Sequence, residues 1–277
     1  MPHMSDFRFS SQSLQDYLEC QRRFELRYIQ KLDWPAEESS PYLAFEQYRQ
    51  KGNLFHACVD QYFHHVAPQA IEKQIMDDDL QQWWENFLQF IATKDFIFST
   101  SEILFQTSLE EHVLVAKFDL LVTQANGNFT IYDWKTTAGE SKPKHSVLAE
   151  KMQTRIYPYV LCRSTTPGSA SLAMQPARVE LVYWFPQFPS QPESFPYSST
   201  QMQDDKKMIA SLMKEIDQKA AGDFPKTEDE KRCRFCVYRS YCGRGKQAAN
   251  IFTSETEFDF DLSDLDLDLE KVEEISY

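Results

Sequence analysis

Leu14, Tyr17, Leu18, Phe24 and Tyr28 recur at the spacing of a single helix face. With Ser10, Ser11 and Ser13 as N-cap candidates, they predict a helix from Ser10 to Lys31. A second helix is predicted from Pro41 to His65, interrupted before Pro68. Asp77, Asp78 and Asp79 supply an acidic start for a third. Its Leu80, Trp83, Trp84, Phe87, Leu88 and Ile91 make a wide apolar side. Helical spacing is what core packing needs, so this aromatic stripe reads as core and not as a platform for stacked bases.

After Ser101 the pattern changes. Val113 to Val122 and Phe129 to Trp134 are apolar, β-branched runs that predict two strands. Between them lies Gln124-Ala125-Asn126-Gly127-Asn128, and Asn-Gly is a hairpin-turn signal. Helical composition returns from His145 to Arg163, with a kink expected at Pro158. Ala177 to Phe185 reads as a further strand, and Gln203 to Ala221 as a charged amphipathic helix closed by Gly222. This order predicts an α/β fold with an N-terminal helical insert and a C-terminal cysteine segment. The expected units are an N-terminal helix (1–36), a helical region (37–100), a core (101–225), a cysteine segment (226–245) and an acidic, disordered tail (246–277).

Charge changes little once its distribution is known. The net charge is −13, but residues 251–277 hold ten acids and one base. The other 250 residues hold 32 acids and 28 bases, a balance that leaves room for a local basic groove. The tail alternates acidic and apolar residues from Phe258 onward, which suits a solvated terminus or a protein-binding segment. No apolar run approaches the roughly 18 residues needed to span a bilayer, and Met1 to Arg8 lacks the features of a signal peptide. A cytoplasmic location is therefore expected. Among only seven glycines no Gly-rich phosphate loop appears, which argues against a transferase or an enzyme driven by nucleoside triphosphates.

Without a secretion signal, six cysteines point to metal or cluster binding and away from disulfides. Cys233, Cys236 and Cys242 lie close together, one ligand short of a four-thiolate site, and Cys20 is the obvious remote donor. Soft thiolates suit zinc or an iron–sulfur cluster. The asymmetric trio with a distant fourth partner favours the cluster, and zinc is its rival. Cys58 and Cys162 have apolar helical neighbours and read as core residues.

A second constellation carries hard ligands. Asp119 closes the first strand of the hairpin, and Asp133-Trp134-Lys135 closes the second. Period 2 puts Asp133 and Lys135 on one face. Two carboxylates and a lysine gathered there call for a cation, and oxygen ligands suit Mg²⁺ or Mn²⁺. Gly52, His56 and Asp60 share one helical face upstream, and Gln153 and Tyr157 share another downstream.

Together these motifs resemble the RecB-like PD-(D/E)XK nucleases that carry a four-cysteine cluster, a group that includes AddB-type helicase–nucleases and CRISPR-associated single-strand exonucleases. The opening Ser10, Leu14, Tyr17, Cys20, Arg23 and Phe24 resembles the family's S-x-x-x-L-x-x-Y-x-x-C-P-R-x-F, with Gln21 in place of proline. Gly52/His56, Glu102, Asp119, Asp133/Lys135/Thr136 and Gln153/Tyr157 follow the family's order. Asp60 replaces its glutamate, and Ala116 the glycine that precedes the aspartate. The resemblance implies a restriction-endonuclease-like mixed sheet flanked by helices. It implies metal binding by His56, Asp119, Asp133 and the Trp134 carbonyl, with Lys135 as catalytic lysine. Gln153 and Tyr157 would orient the site or contact DNA, and Asp60, Glu102 and Thr136 would support it. Cys20, Cys233, Cys236 and Cys242 would hold a [4Fe–4S] cluster. The implied activity is a DNA exonuclease acting on single strands or ends in repair, recombination or CRISPR adaptation, with a helicase or other protein as partner. The rival expectations are a zinc-stapled nuclease and a non-catalytic DNA-binding scaffold.

Overall fold

The computed structural model describes residues 7–34, 40–137, 141–164, 174–220 and 222–245, with the side chains of 40 and 41 left aside. The acidic tail expected over 246–277 lies outside the described residues. In chain order the elements are β1 (Arg8–Phe9), α1 (Ser11–Glu19), α2 (Gln21–Phe24), α3 (Ser40–Phe63), α4 (Pro68–Glu72), α5 (Asp78–Ala92), β2 (Phe98–Leu109), β3 (His112–Thr123) and β4 (Phe129–Trp134). There follow α6 (His145–Glu150), α7 (Met152–Arg163), β5 (Val179–Trp184), β6 (Glu193–Pro196) and α8 (Ser199–Asp217).

The six-stranded sheet runs β1-β3-β4-β5-β6, with β2 also paired to β3. Antiparallel pairs join β2 to β3, β3 to β4 and β5 to β6. Parallel pairs join β1 to β3 and β4 to β5. A parallel pair needs a crossover, which α6 and α7 supply between β4 and β5. The fold is therefore α/β with a mixed sheet, as the resemblance implies.

Helices cover both faces, and each face has its own core. On one, Leu14 and Tyr17 of α1, Ile156 and Val160 of α7 and Ile209 and Met213 of α8 pack on Phe118, Ile131 and Leu181. On the other, Phe55 of α3 and Trp83, Trp84 and Phe87 of α5 pack on Tyr132, Trp134 and Trp184. The aromatic stripe of α5 is thus core, as its spacing predicts. Full burial of each such side chain stabilises the fold by about 1.5–3 kcal/mol. Among the described residues, no helix is long and apolar enough to cross a membrane.

The structure corrects several expected boundaries. The first helix is not continuous: Cys20 adopts an extended backbone between α1 and α2, and α2 runs on into a π-helical turn over Glu25–Ile29. Gln21 is consequently a first-turn residue, where the family's proline would cost nothing because that N–H has no helical partner. The helix expected from His145 to Arg163 breaks at Lys151, and Pro158 is carried inside α7. The last helix begins at Ser199, capped by the Ser198 hydroxyl, which accepts from the Gln201 amide. Finally, β2 precedes the expected hairpin as a full strand of 12 residues. Its opening Ser99-Thr100-Ser101-Glu102 lacks an apolar alternation, so the pattern did not announce it.

Candidate active site

The site assembles where β2, β3 and β4 meet the inner face of α3. Asp119 does not close its strand but sits within β3. The β2–β3 register pairs Ser101 with Leu120 and Ile103 with Phe118, leaving Glu102 and Asp119 facing each other outside it. Glu102 has φ 51°, a left-handed backbone that costs a residue of this kind about 1–3 kcal/mol. Leu114, Ala116 and Phe118 lie in the first core, whereas Leu120 and Val122 lie in the second, so β3 changes face at Asp119. The interruption leaves both residues outside the backbone pairing. They converge with His56, and one ligand atom from each of His56, Glu102 and Asp119 lies within 4.8 Å of the others.

Asp119 is anchored at its own end. Its Oδ2 accepts from the Trp134 N–H at 2.8 Å and lies 3.4 Å from His56 Nδ1. Burial opposes its charge, but His56, the Trp134 amide and Lys135 hold its carboxyl below the usual range. Burial likewise opposes a charged His56, yet Asp119, with Asp133 and Glu102 behind it, pushes this imidazole up to about 9. Burial and Asp119 raise Glu102, against Lys117 and His56. His56 Nε2 is buried without a hydrogen-bond partner. An imidazole nitrogen and two carboxylate oxygens that converge in this way are a donor set suited to a divalent ion.

Asp133 and Lys135 project together from the end of β4, as period 2 predicts. Lys135 Nζ lies 2.7 Å from Asp133 Oδ2, and the ammonium sits 5.2 Å from the Tyr183 ring centroid. Gln153 Nε2 donates to Asp133 Oδ1 at 2.6 Å. Tyr157, 2% exposed, is held protonated by burial and by the fields of Asp133 and Asp119. Gln153 and Tyr157 are both buried, a placement suited to orienting Asp133. Trp134 gives its amide to Asp119 while its side chain fills the second core.

One face of α3 holds the segment after Lys135 in place. A Cβ on Gly52 would lie 2.7 Å from Thr136 Oγ1, so only glycine allows that approach. Tyr48, one turn before Gly52, donates its hydroxyl to the Thr137 carbonyl. Gln187 Nε2 donates to the Tyr48 hydroxyl at 2.7 Å and to the same carbonyl at 3.1 Å. Neither Tyr48 nor Gln187 was singled out from sequence. Tyr48 was findable, because it extends the Gly52, His56, Asp60 series by one turn. Asp60 ties α3 to β2 by accepting from Ser101 Oγ at 2.7 Å, and lies 3.1 Å from His64 Nδ1.

The profile of the PD-(D/E)XK nuclease superfamily matches residues 8–243. The chain belongs to that superfamily. No curated protein matches it. Two solved structures resemble the nuclease over most of its length. One, a Eubacterium rectale protein provisionally named an exonuclease, is 14% identical, with 93% of this chain and 94% of that chain covered and a TM-score of 0.49. The other, described as SSO0001, is 13% identical, with 86% and 87% covered and a TM-score of 0.40.

A second group of candidate ligands comes from segments far apart in the chain. Cys20, Cys233, Cys236 and Cys242 line one cavity together with Arg23, Lys226, Tyr238, Arg239 and Arg244. Contacts between the ends explain how residues so far apart in sequence meet. The Arg22 N–H donates to the Pro225 carbonyl, the Tyr238 hydroxyl to the Leu32 carbonyl, and Trp34 Nε1 to Ser240 Oγ. Burial, reinforced by Cys236, Cys20 and Cys242, pushes the Cys233 thiol up to about 11. Cys58 and Cys162 lie buried in the second and first cores, as expected. Ala116 is 2% exposed, so its methyl packs into the first core and presents nothing to an approaching DNA backbone.

Proposed function

We propose that this nuclease is a metal-dependent deoxyribonuclease, an exonuclease acting on single strands or DNA ends. The observation that carries the reading is the juxtaposition of His56, Glu102 and Asp119 with the Asp133–Lys135 pair. Glu102 has more than a supporting place, because its carboxylate converges with His56 and Asp119, whereas Asp133 is engaged by Lys135 and Gln153. A bound Mg²⁺ or Mn²⁺ would lower the pKa of its water and offset charge on the phosphoryl oxygens. The chain's own groups do the rest. Asp119 and Glu102 supply hard oxygens, and the Trp134 amide fixes the direction of Asp119. Lys135 places an ammonium where it can orient an attacking water and balance charge developing at phosphorus. Gln153 holds Asp133 in the rotamer that keeps Lys135 there. Preference for ends or single strands rests on the motif resemblance.

The cysteine cavity is proposed to hold a [4Fe–4S] cluster that clasps the chain ends. The preference for a cluster over zinc rests on the asymmetric spacing of Cys233, Cys236 and Cys242 with the remote Cys20, and on the motif resemblance. The surrounding Arg23, Arg239, Arg244 and Lys226 suit its four thiolates.

The test is cleavage of end-labelled single- and double-stranded DNA by anaerobically purified protein with Mg²⁺ or Mn²⁺, beside Lys135→Ala. Metal-dependent shortening that the variant lacks supports the reading and shows polarity. A folded wild type that leaves both substrates intact overturns it in favour of a DNA-binding scaffold.

A further inference from the structure

A second lysine stands at the metal group, and the nuclease chemistry set out above leaves it without a task. Lys117 precedes Asp119 by two positions on β3, and its Nζ forms an ion pair with Glu102 Oε2. Glu102 is also the carboxylate whose left-handed backbone turns it toward His56 and Asp119. One carboxylate therefore serves two cations. Both side chains of the pair retain 29% of their exposure, so the ammonium can swing away without crossing a core. Lys135 differs in kind, because its side chain is 4% exposed and fixed between Asp133 and Tyr183.

We propose that Lys117 is an exchangeable counter-ion: it neutralises Glu102 in the metal-free protein and, when a divalent cation takes that carboxylate, is released to a phosphate of the DNA backbone. This rests on the reading of His56, Glu102 and Asp119 as the metal site. Physically, three carboxylates (Glu102, Asp119, Asp133) share this small volume with His56 and Lys135, and without Lys117 the metal-free site would carry excess negative charge. Divalent binding must displace the ammonium, which weakens metal affinity. The displaced ammonium then lies beside the metal, where a scissile phosphate brings its own negative oxygens.

The two halves of the exchange give opposite signs in one variant. Lys117→Met keeps the aliphatic stem and removes the charge. Calorimetric titration of the full chain with Mn²⁺ in the absence of DNA is expected to show about three- to tenfold tighter binding than wild type. Lys117→Arg, which keeps the charge, is expected to stay near wild type. Binding of a short single-stranded oligonucleotide, with Ca²⁺ holding it uncleaved, is expected to weaken in Lys117→Met. Its log-affinity slope against log salt should shrink by about 0.7, one phosphate contact. Asp119→Asn is the control, since Mn²⁺ that binds elsewhere, including on the acid-rich residues 251–277, survives it. Unchanged or weaker Mn²⁺ binding in Lys117→Met, with the site lost in Asp119→Asn, overturns the exchange and leaves the metal site standing. Unchanged binding in both variants overturns the metal site itself. Tighter Mn²⁺ with an unchanged salt slope overturns the phosphate contact.

Discussion

The two groups of candidate ligands in this nuclease are built in opposite ways. The first takes a nitrogen and hard oxygens from α3, β2 and β3, elements locked by two cores and by sheet pairing. The second takes soft sulfurs from a one-residue helix break at Cys20 and a short-turned segment around Cys233–Cys242. The first is positioned by the fold. The second lies where two segments far apart in sequence meet, a junction also tied by Arg22 to Pro225, Tyr238 to Leu32, Trp34 to Ser240 and Gly222 to Glu25. The difference teaches that one fold can present a candidate site from its core elements and another from segments that its chain brings together.

Four changes break or sharpen that contrast. The largest effect is expected from Lys135→Ala, which should slow cleavage by about 10²–10³-fold, read from initial rates on end-labelled DNA. Iron and acid-labile sulfide content should not change. Cys236→Ser should do the reverse. It should lower the melting temperature under anaerobic circular dichroism by about 10 °C or more, since metal-site formation is coupled to folding. Mn²⁺ binding at the first site should persist below that melt. A melting temperature equal to wild type would show that the cysteines clasp nothing.

Gly52→Ala is a smaller intrusion. Its methyl meets Thr136 Oγ1, and overpacking of this kind costs about 1–3 kcal/mol in denaturant unfolding. Adding Thr136→Ala removes that hydroxyl and should recover most of the loss. A double variant no more stable than Gly52→Ala would place the strain elsewhere. The smallest effect is on pH dependence in EDTA. Because His56 is pushed up to about 9, its contribution to metal-free stability is fully present below the unfolded value near 6.5. That contribution, about 1–3 kcal/mol, is lost as pH rises through about 9, and His56→Gln should flatten the curve.

Much of this architecture was legible in the sequence, for physical reasons that differ by element. The stripe of α5 and the runs of β3, β4 and β5 could be read because burial on one face imposes a period. Spacing put Asp133 beside Lys135 and Gln153 beside Tyr157, whereas gathering these pairs with His56 and Asp119 at one site rested on the resemblance to the family's motif order. The break at Cys20 was invisible, since its neighbours have ordinary helical composition. The weight of Glu102 was missed for a related reason. No local preference favours φ 51° at a glutamate, and only the unpaired step opposite Asp119 explains it. Gln187 could not be found, because its role depends on a loop that folds back to Tyr48 across more than a hundred residues.

The central claim is that chemistry resides in the His56–Glu102–Asp119 group and not in the cysteine cavity. Its most direct test measures iron content and Mg²⁺-dependent cleavage of end-labelled single-stranded DNA together, on wild type and on Asp119→Asn. The account predicts equal iron in both proteins and cleavage only in the wild type. Cleavage at an unreduced rate by Asp119→Asn would contradict it.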